Sequence, residues 1–340
     1  MKFLIKFFKW FAIILVSIIV LMYIFNVDYL LRAVRTIYFK GYTTAFLEDY
    51  KEFPNREIKK GIAQPWAIAS DYNSVPATQN LQNTHKELQT IAYLIIKNDS
   101  IWHESYFDGF DKNSKTNSFS MAKSVVTMAM GKAIMEGKMK SLDQKVTDFF
   151  PELKGKYAKE VTIGDLSSMA SGLSWDEKYY SPFSIVTRAY FDDNLNDVIL
   201  GLDIKEKPGQ SFKYLSGATQ LLAMCIEKAT GEHLSDYVSK HFWQPMGAEN
   251  EALWQLDEAP DGIEKAYCCI ASNARDFARF GKLYLNNGMW NGQQLLDSAF
   301  VKKCITPRFE KSPQYGYGWW MHNFLGKDLY YMRGHLGQFV

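Results

Sequence analysis

The chain has 340 residues, 47% hydrophobic and 22% charged, which is enough apolar material for one large or two moderate domains and excludes a disordered protein. Its 39 basic and 37 acidic residues leave a formal net charge of +2 and are spread along the length. No basic stripe points to nucleic acid, and no acidic tail appears.

At the N-terminus, Lys2, Lys6 and Lys9 flank an uncharged apolar run from Trp10 to Phe25, which is expected to enter a membrane. No small-residue cleavage site follows Phe25, so an uncleaved signal anchor over 1–25 is favoured over a form secreted after cleavage. Positive-inside logic keeps the N-terminus in the cytoplasm and puts the remainder in the periplasm or outside, although Arg32, Arg35 and Lys40 weaken the asymmetry. Residues 26–87, with Pro54, Pro65 and Pro76 and no sustained period, read as a connecting and wrapping segment.

From Ile91 the pattern changes. Ile91 to Lys97 and Ile101 to Phe107, about an Asn98-Asp99-Ser100 turn, read as an antiparallel hairpin. Ser120 to Met135 is rich in Met, Ala, Val and Ile, lacks proline, and reads as a helix ending near Glu136-Gly137. Further helices are signalled by the capping-box pattern Thr162-Ile163-Gly164-Asp165, by Ser216 ahead of Gly217 to about Ala229, and by Ser272 ahead of Ala274 to Leu285. Tyr315 to Met321 and Leu329 to Met332 read as strands, and the aromatic run there is expected mainly in the core. Strands at both ends with helices between imply an α+β fold, an antiparallel sheet flanked by helices with an inserted, mainly helical domain over about 140–260. The four cysteines, Cys225, Cys268, Cys269 and Cys304, form no metal-site spacing. Adjacent cysteines fit disulfide geometry poorly, so buried free thiols are expected, a long-range bridge to Cys304 being the alternative.

The chemistry is carried first by Ser120-Met121-Ala122-Lys123. Residues three apart share a helix face, so the Lys123 amine can reach the Ser120 oxygen and take its proton. On the first turn of a helix, free N–H groups and the dipole favour the negative charge that develops on a serine oxygen or an attacked carbonyl. By itself the four-residue pattern is equally that of an exposed helix with a serine cap.

Neighbouring segments decide between these. Ser118 to Ser124, Tyr214 to Leu222, and Gly334-His335-Leu336-Gly337-Gln338 occur in the order of three active-site motifs, and with them the chain resembles the serine β-lactamase and penicillin-binding-protein superfamily over about 88–340. It is most similar to the class C-like serine hydrolases that include 6-aminohexanoate-dimer hydrolase and related esterases. The stretches Val161 to Leu173, Ala274 to Gly281 and Tyr315 to Trp320 support the same likeness. The resemblance implies Ser120 as nucleophile and Lys123 as a base held partly neutral. It implies Tyr214 as proton relay and Ser216 as a site residue whose helix-capping reading is equally good. His335 and Gly337 would line the site, the glycine admitting substrate close to the backbone, and the N–H groups of Ser120 and Gln338 would form the oxyanion hole. The other five histidines receive no role.

These expectations amount to a serine hydrolase that cleaves an amide, ester or peptide-like small molecule through an acyl-enzyme, without metal or organic cofactor. The alternatives are a β-lactamase or D-alanyl peptidase on the same scaffold, and an inactive envelope-anchored homologue. His335 in place of a lysine removes a fixed charge for a substrate carboxylate, which counts against the first. A Ser-His-Asp triad is disfavoured because no Gly-x-Ser-x-Gly elbow is present. Two departures from the family pattern stand out: Cys268-Cys269 replace small residues, and Val340 falls within the expected third-motif strand. A domain over 88–340 lacking the family's last strands and C-terminal helix is expected to leave a sheet face uncovered and an edge open.

Overall fold

The protein is described by a computed structural model covering residues 1–340. Helix α1, Lys2–Ile24, buries no residue and is long and apolar enough to cross a membrane, a property that a signal sequence shares. Helix α2, Tyr29–Thr36, buries Tyr29, Ala33 and Thr36, one stripe at helical spacing. Two short strands follow, β1 at Asn55–Ile58 and β2 at Ala67–Ile68, then helix α3 at Gln79–Glu87, capped by the Thr78 hydroxyl accepting from the Leu81 N–H. Residues 26–87 thus do more than connect, since they supply two strands to the sheets.

The expected hairpin forms as β3, Ala92–Lys97, and β4, Ser100–Tyr106. Its turn residues Asn98 and Asp99 both have positive φ, as a type I′ turn requires. Strand β2 adds to β4 in parallel. Strand β5, Thr116–Asn117, then leads through a single 3-10 turn at Phe119–Met121 into helix α4, Ala122–Met135. The helical stretch follows, with α5 at Ile163–Ser167, α6 at Ile185–Phe191, α7 at Leu195–Leu200, α8 at Ser216–Thr230 and α9 at Leu234–Val238. The capping box at Thr162 and Asp165 is present in full.

The chain returns to the sheet with β6, Ala252–Gln255, and β7, Ile270–Ser272. The main sheet has the order β1-β6-β7-β5, antiparallel throughout, and is closed by segments far apart in sequence. Helix α10, Ala274–Leu285, is capped by Asn273 and not by Ser272. It is followed by the short pair β8, Met289–Trp290, and β9, Gln293–Gln294, then α11, Ser298–Cys304. The last strands, β10 at Trp320–Phe324 and β11 at Lys327–Tyr331, pair only with each other, around Leu325 and Gly326 at positive φ. Residues 315–319, expected as strand, instead make turns that bring Gly318 against α4. A Cβ on Gly318 would stand 2.3 Å from Thr127 Oγ1, and its φ is +72°. No other residue allows this contact without movement. The third motif also departs from expectation: residues 334–338 form a turn closed by the Arg333↔Phe339 bridge, where a strand was expected.

Helix α4 is buried on nearly every side, which explains why its sequence lacks a polar face. It packs on α8 in the centre of the molecule. Beneath the start of α4 lies Asp49, fully buried, whose carboxylate accepts from Asn117 Nδ2 at 2.9 Å, Gln255 Nε2 at 3.1 Å and the Tyr190 hydroxyl at 2.6 Å. These ties join β5, β6 and α6. Asn117 Oδ1 in turn accepts from the Phe119 N–H at 2.9 Å, and Phe119 has φ +45°, a left-handed conformation that costs a non-glycine residue about 1–3 kcal/mol. Asp49→Ala strands three buried donors, so a loss of about 3 kcal/mol of stability is expected in urea unfolding.

Candidate active site

Ser120 sits in the 3-10 turn before α4, directly after strained Phe119, with Lys123 one turn on. The Lys123 amine donates to Ser120 Oγ at 2.9 Å and to the Tyr267 carbonyl at 2.7 Å. Lys123 is 2% exposed, and burial pulls its pKa down to about 8, against the opposing pull of the Glu177 carboxylate. Thr127 on the next turn bonds Ser167, and Ser124 donates to the Gly318 carbonyl at 2.6 Å, so the helix face behind Lys123 is fixed.

Tyr214, one residue before the α8 N-cap, lies beside this pair. Its ring centroid is 5.1 Å from Lys123 Nζ, and it packs on Trp320 at 5.5 Å and Tyr315 at 6.3 Å. Burial pushes the phenol well above its ordinary range, partly offset by its bond with the Ser120 hydroxyl. The aromatic run near the C-terminus therefore serves both purposes: Tyr315 and Trp319 are buried in the core, while Trp320 shapes the site.

Ser216 is the first residue of α8 and does not cap it. The cap comes from Glu177, in the loop between α5 and α6, whose carboxylate accepts from the Ser216 N–H and, at 3.2 Å, from the Ser216 hydroxyl. The same carboxylate accepts from the Tyr179 hydroxyl. Glu177 escapes sequence reading because it lies in a loop without periodicity. No local signal marks it, because it stands 39 residues before Ser216 with α6 and α7 between.

His335 stacks on Tyr179, with centroids 4.9 Å apart and planes at 22°, and stands edge-on to Phe119. Burial and the Lys123 charge hold its pKa below the ordinary value, so the imidazole is neutral at pH 7. Gly337 has φ +86° and open space where a Cβ would point. Gln338 folds back, its carbonyl accepting from Gly334 N–H at 2.9 Å and its side-chain oxygen from Leu336 N–H at 3.1 Å. A Cβ on Gly334 would lie 2.5 Å from the Ser118 carbonyl, so this turn is packed directly against the approach to Ser120.

Cys268 and Cys269 are joined to each other, and Cys225 and Cys304 are buried free thiols that burial pushes up. This corrects the expectation of four free thiols. Cys269 has φ +83°, and this left-handed residue turns the chain so that adjacent side chains meet. The pair follows directly on Tyr267, the residue whose carbonyl holds Lys123.

Ser120, Ser216, His335, Tyr179, Tyr267 and Cys268 all border one cavity of about 130 Å³. A hydroxyl and a buried amine in contact, beside a phenol and an open glycine turn, make a site able to attack a carbonyl.

Residues 77–340 match the Beta-lactamase family, so the chain belongs to that family and to the serine-hydrolase superfamily. Over 237 residues it is 25% identical to 6-aminohexanoate-dimer hydrolase of Paenarthrobacter ureafaciens, covering 67% of this chain and 60% of that enzyme. The chain therefore spans less than two thirds of the length of this curated relative. In structure it is similar to a Bacillus anthracis protein described as a 6-aminohexanoate-dimer hydrolase, with a TM-score of 0.68 at 24% identity, over 85% of this chain and 82% of the other. It is also similar to the octameric penicillin-binding protein homologue of Pyrococcus abyssi, with a TM-score of 0.59 at 20% identity, over 76% and 67% of the two chains.

Removing the Glu177 charge takes away the one attraction that raises the Lys123 pKa. In Glu177→Gln the titration of Lys123, followed through the pH dependence of Ser120 modification by a fluorophosphonate, is expected to move below its midpoint near 8.

Proposed function

We propose that the protein is a serine hydrolase that cleaves an amide or ester of a small molecule through an acyl-enzyme on Ser120. The observation that supports this most is the Lys123 amine, 2% exposed and 2.9 Å from Ser120 Oγ. Neutral Lys123 takes the hydroxyl proton as Ser120 Oγ bonds to the carbonyl carbon. Tyr214 passes a proton to the departing amine or alcohol as its bond to that carbon breaks. Water then adds to the acyl carbon, gives up a proton through the same groups, and Ser120 leaves with its hydrogen restored. The backbone N–H groups of Ser120 and Gln338 hold the oxyanion, and Ser216, His335 and Gly337 contact the substrate.

This reading includes the division of the chain into an anchor over 1–25, a segment over 26–87 and a hydrolase domain over 88–340. It places the N-terminus in the cytoplasm and the site outside the membrane. A neutral His335 offers no fixed charge to a substrate carboxylate, which favours an amidase or esterase over a D-alanyl peptidase.

Ser120→Ala is expected to abolish the fluorophosphonate adduct seen by intact-protein mass spectrometry and all p-nitrophenyl acetate turnover. Lys123→Ala and Tyr214→Phe should each lower kcat/KM by about 10²–10⁴-fold while the protein stays folded by circular dichroism. In the parent protein kcat/KM should rise with pH through a midpoint near 8, as Lys123 loses its proton, and level off above it. A folded protein that takes no adduct at Ser120 would overturn the reading.

A further inference from the structure

The cavity beside Ser120 extends well past the groups that move protons, and its lining contains no Asp, Glu, Lys or Arg. Its only titratable cation former, His335, is held neutral. A charged chain end placed there meets no charged side chain in the lining and bears most of its desolvation cost. An uncharged chain gains by burial.

The far wall comes from outside the hydrolase domain as delimited above. Ala33 and Ile37, on and just after α2, line the cavity together with Val186 and Phe191 of α6, on which α2 packs. Helix α2 is fixed in this position: the Tyr29 hydroxyl donates to the Pro182 carbonyl at 3.2 Å, and Arg32 Nη1 donates to the Asp257 carbonyl at 2.8 Å. Because α2 follows directly on the apolar helix α1, the cavity wall stands next to the end of a run long and apolar enough to cross a membrane. Phe39, Tyr180 and Phe183, from the two segments that border the cavity, are exposed aromatics of the kind that sit at a membrane surface.

Resting on the serine-hydrolase reading, we infer that the natural substrate is an amphiphilic amide or ester presented at the membrane surface, with an uncharged chain that fills this cavity. The volume of about 130 Å³ is close to that of apolar cavities that take benzene, which sets the chain at about six carbons.

The test compares p-nitrophenyl acetate, butyrate, hexanoate, dodecanoate and 6-aminohexanoate on the full-length protein in phosphatidylcholine nanodiscs. Between acetate and hexanoate kcat/KM is expected to rise by up to about fourfold per methylene, then flatten. Hexanoate should exceed its 6-amino analogue by about tenfold or more. Val186→Trp on α6 and Ala33→Phe on α2, each of which fills part of the cavity, should each pull the hexanoate-to-acetate ratio towards one; either variant suffices if the other does not fold. A flat chain-length profile, a preference for 6-aminohexanoate, or no hexanoate turnover overturns the inference, provided Ser120 still takes a fluorophosphonate; the hydrolase reading then stands. Absence of that adduct removes both.

Discussion

The structure depends on keeping the Lys123 amine out of water and yet within reach of two oxygens, Ser120 Oγ and the Tyr267 carbonyl. An ammonium ion in such a place costs several kcal/mol after relaxation, and a lysine meets that cost in part by giving up its proton more readily. The enclosure is built from separate parts of the chain: α4 itself, the Gly318 turn against its back, and the Tyr267 turn across the site. Burial by these parts is what lowers the amine's pKa, so an opening that let water in would move it back toward its ordinary value. The tight approach of Gly318 is thus tied to the chemistry of Lys123 as well as to packing.

The same logic accounts for the strain at Phe119. A left-handed phenylalanine just before Ser120 persists only where its surroundings over-determine it. Here the restraint runs from buried Asp49 to Asn117 and then to the Phe119 N–H, with Tyr190 and Gln255 tied to the same carboxylate. Burial raises the Asp49 pKa, and the three donors counter it, so the network is held together by donors that have no other partner. Asp49 lies in the segment before the domain that the sequence delimits. The presentation of Ser120 is therefore set partly by residues with no motif of their own.

What was legible from sequence follows from how local each signal is. The β3–β4 hairpin, α4 and the Thr162 capping box were read correctly because each is encoded within about a dozen consecutive residues. The order of the strands was not: β1 pairs with β6, and the partners Asn55 and Gln255 are brought together only by the folded helical stretch. The Tyr315 to Met321 run shows why composition misleads there. Its aromatics suit a strand, but Gly318 at positive φ turns the run back on itself, so Tyr315 makes only an isolated bridge to Trp320 and the strand β10 starts at Trp320. Glu177 and the Cys268–Cys269 link were missed for a related reason, since one acts across the fold on α8 and the other needs the left-handed Cys269 that sequence does not display.

The segment between the apolar helix and the domain changes how the site itself should be understood. A wrapping segment that merely covered a finished domain could be varied freely without altering chemistry. Here α2 lines the cavity that Ser120 borders, Asp49 holds the turn that carries Ser120, and β1 completes the edge of the main sheet. Residues 26–87 therefore help to form the site itself. Helix α2 follows α1 after the short link at Phe25 to Asp28 and contributes Ala33 to the cavity wall, with Ile37 just beyond it. In a protein organised this way, residues ahead of the domain are part of the geometry that decides which molecules reach Ser120.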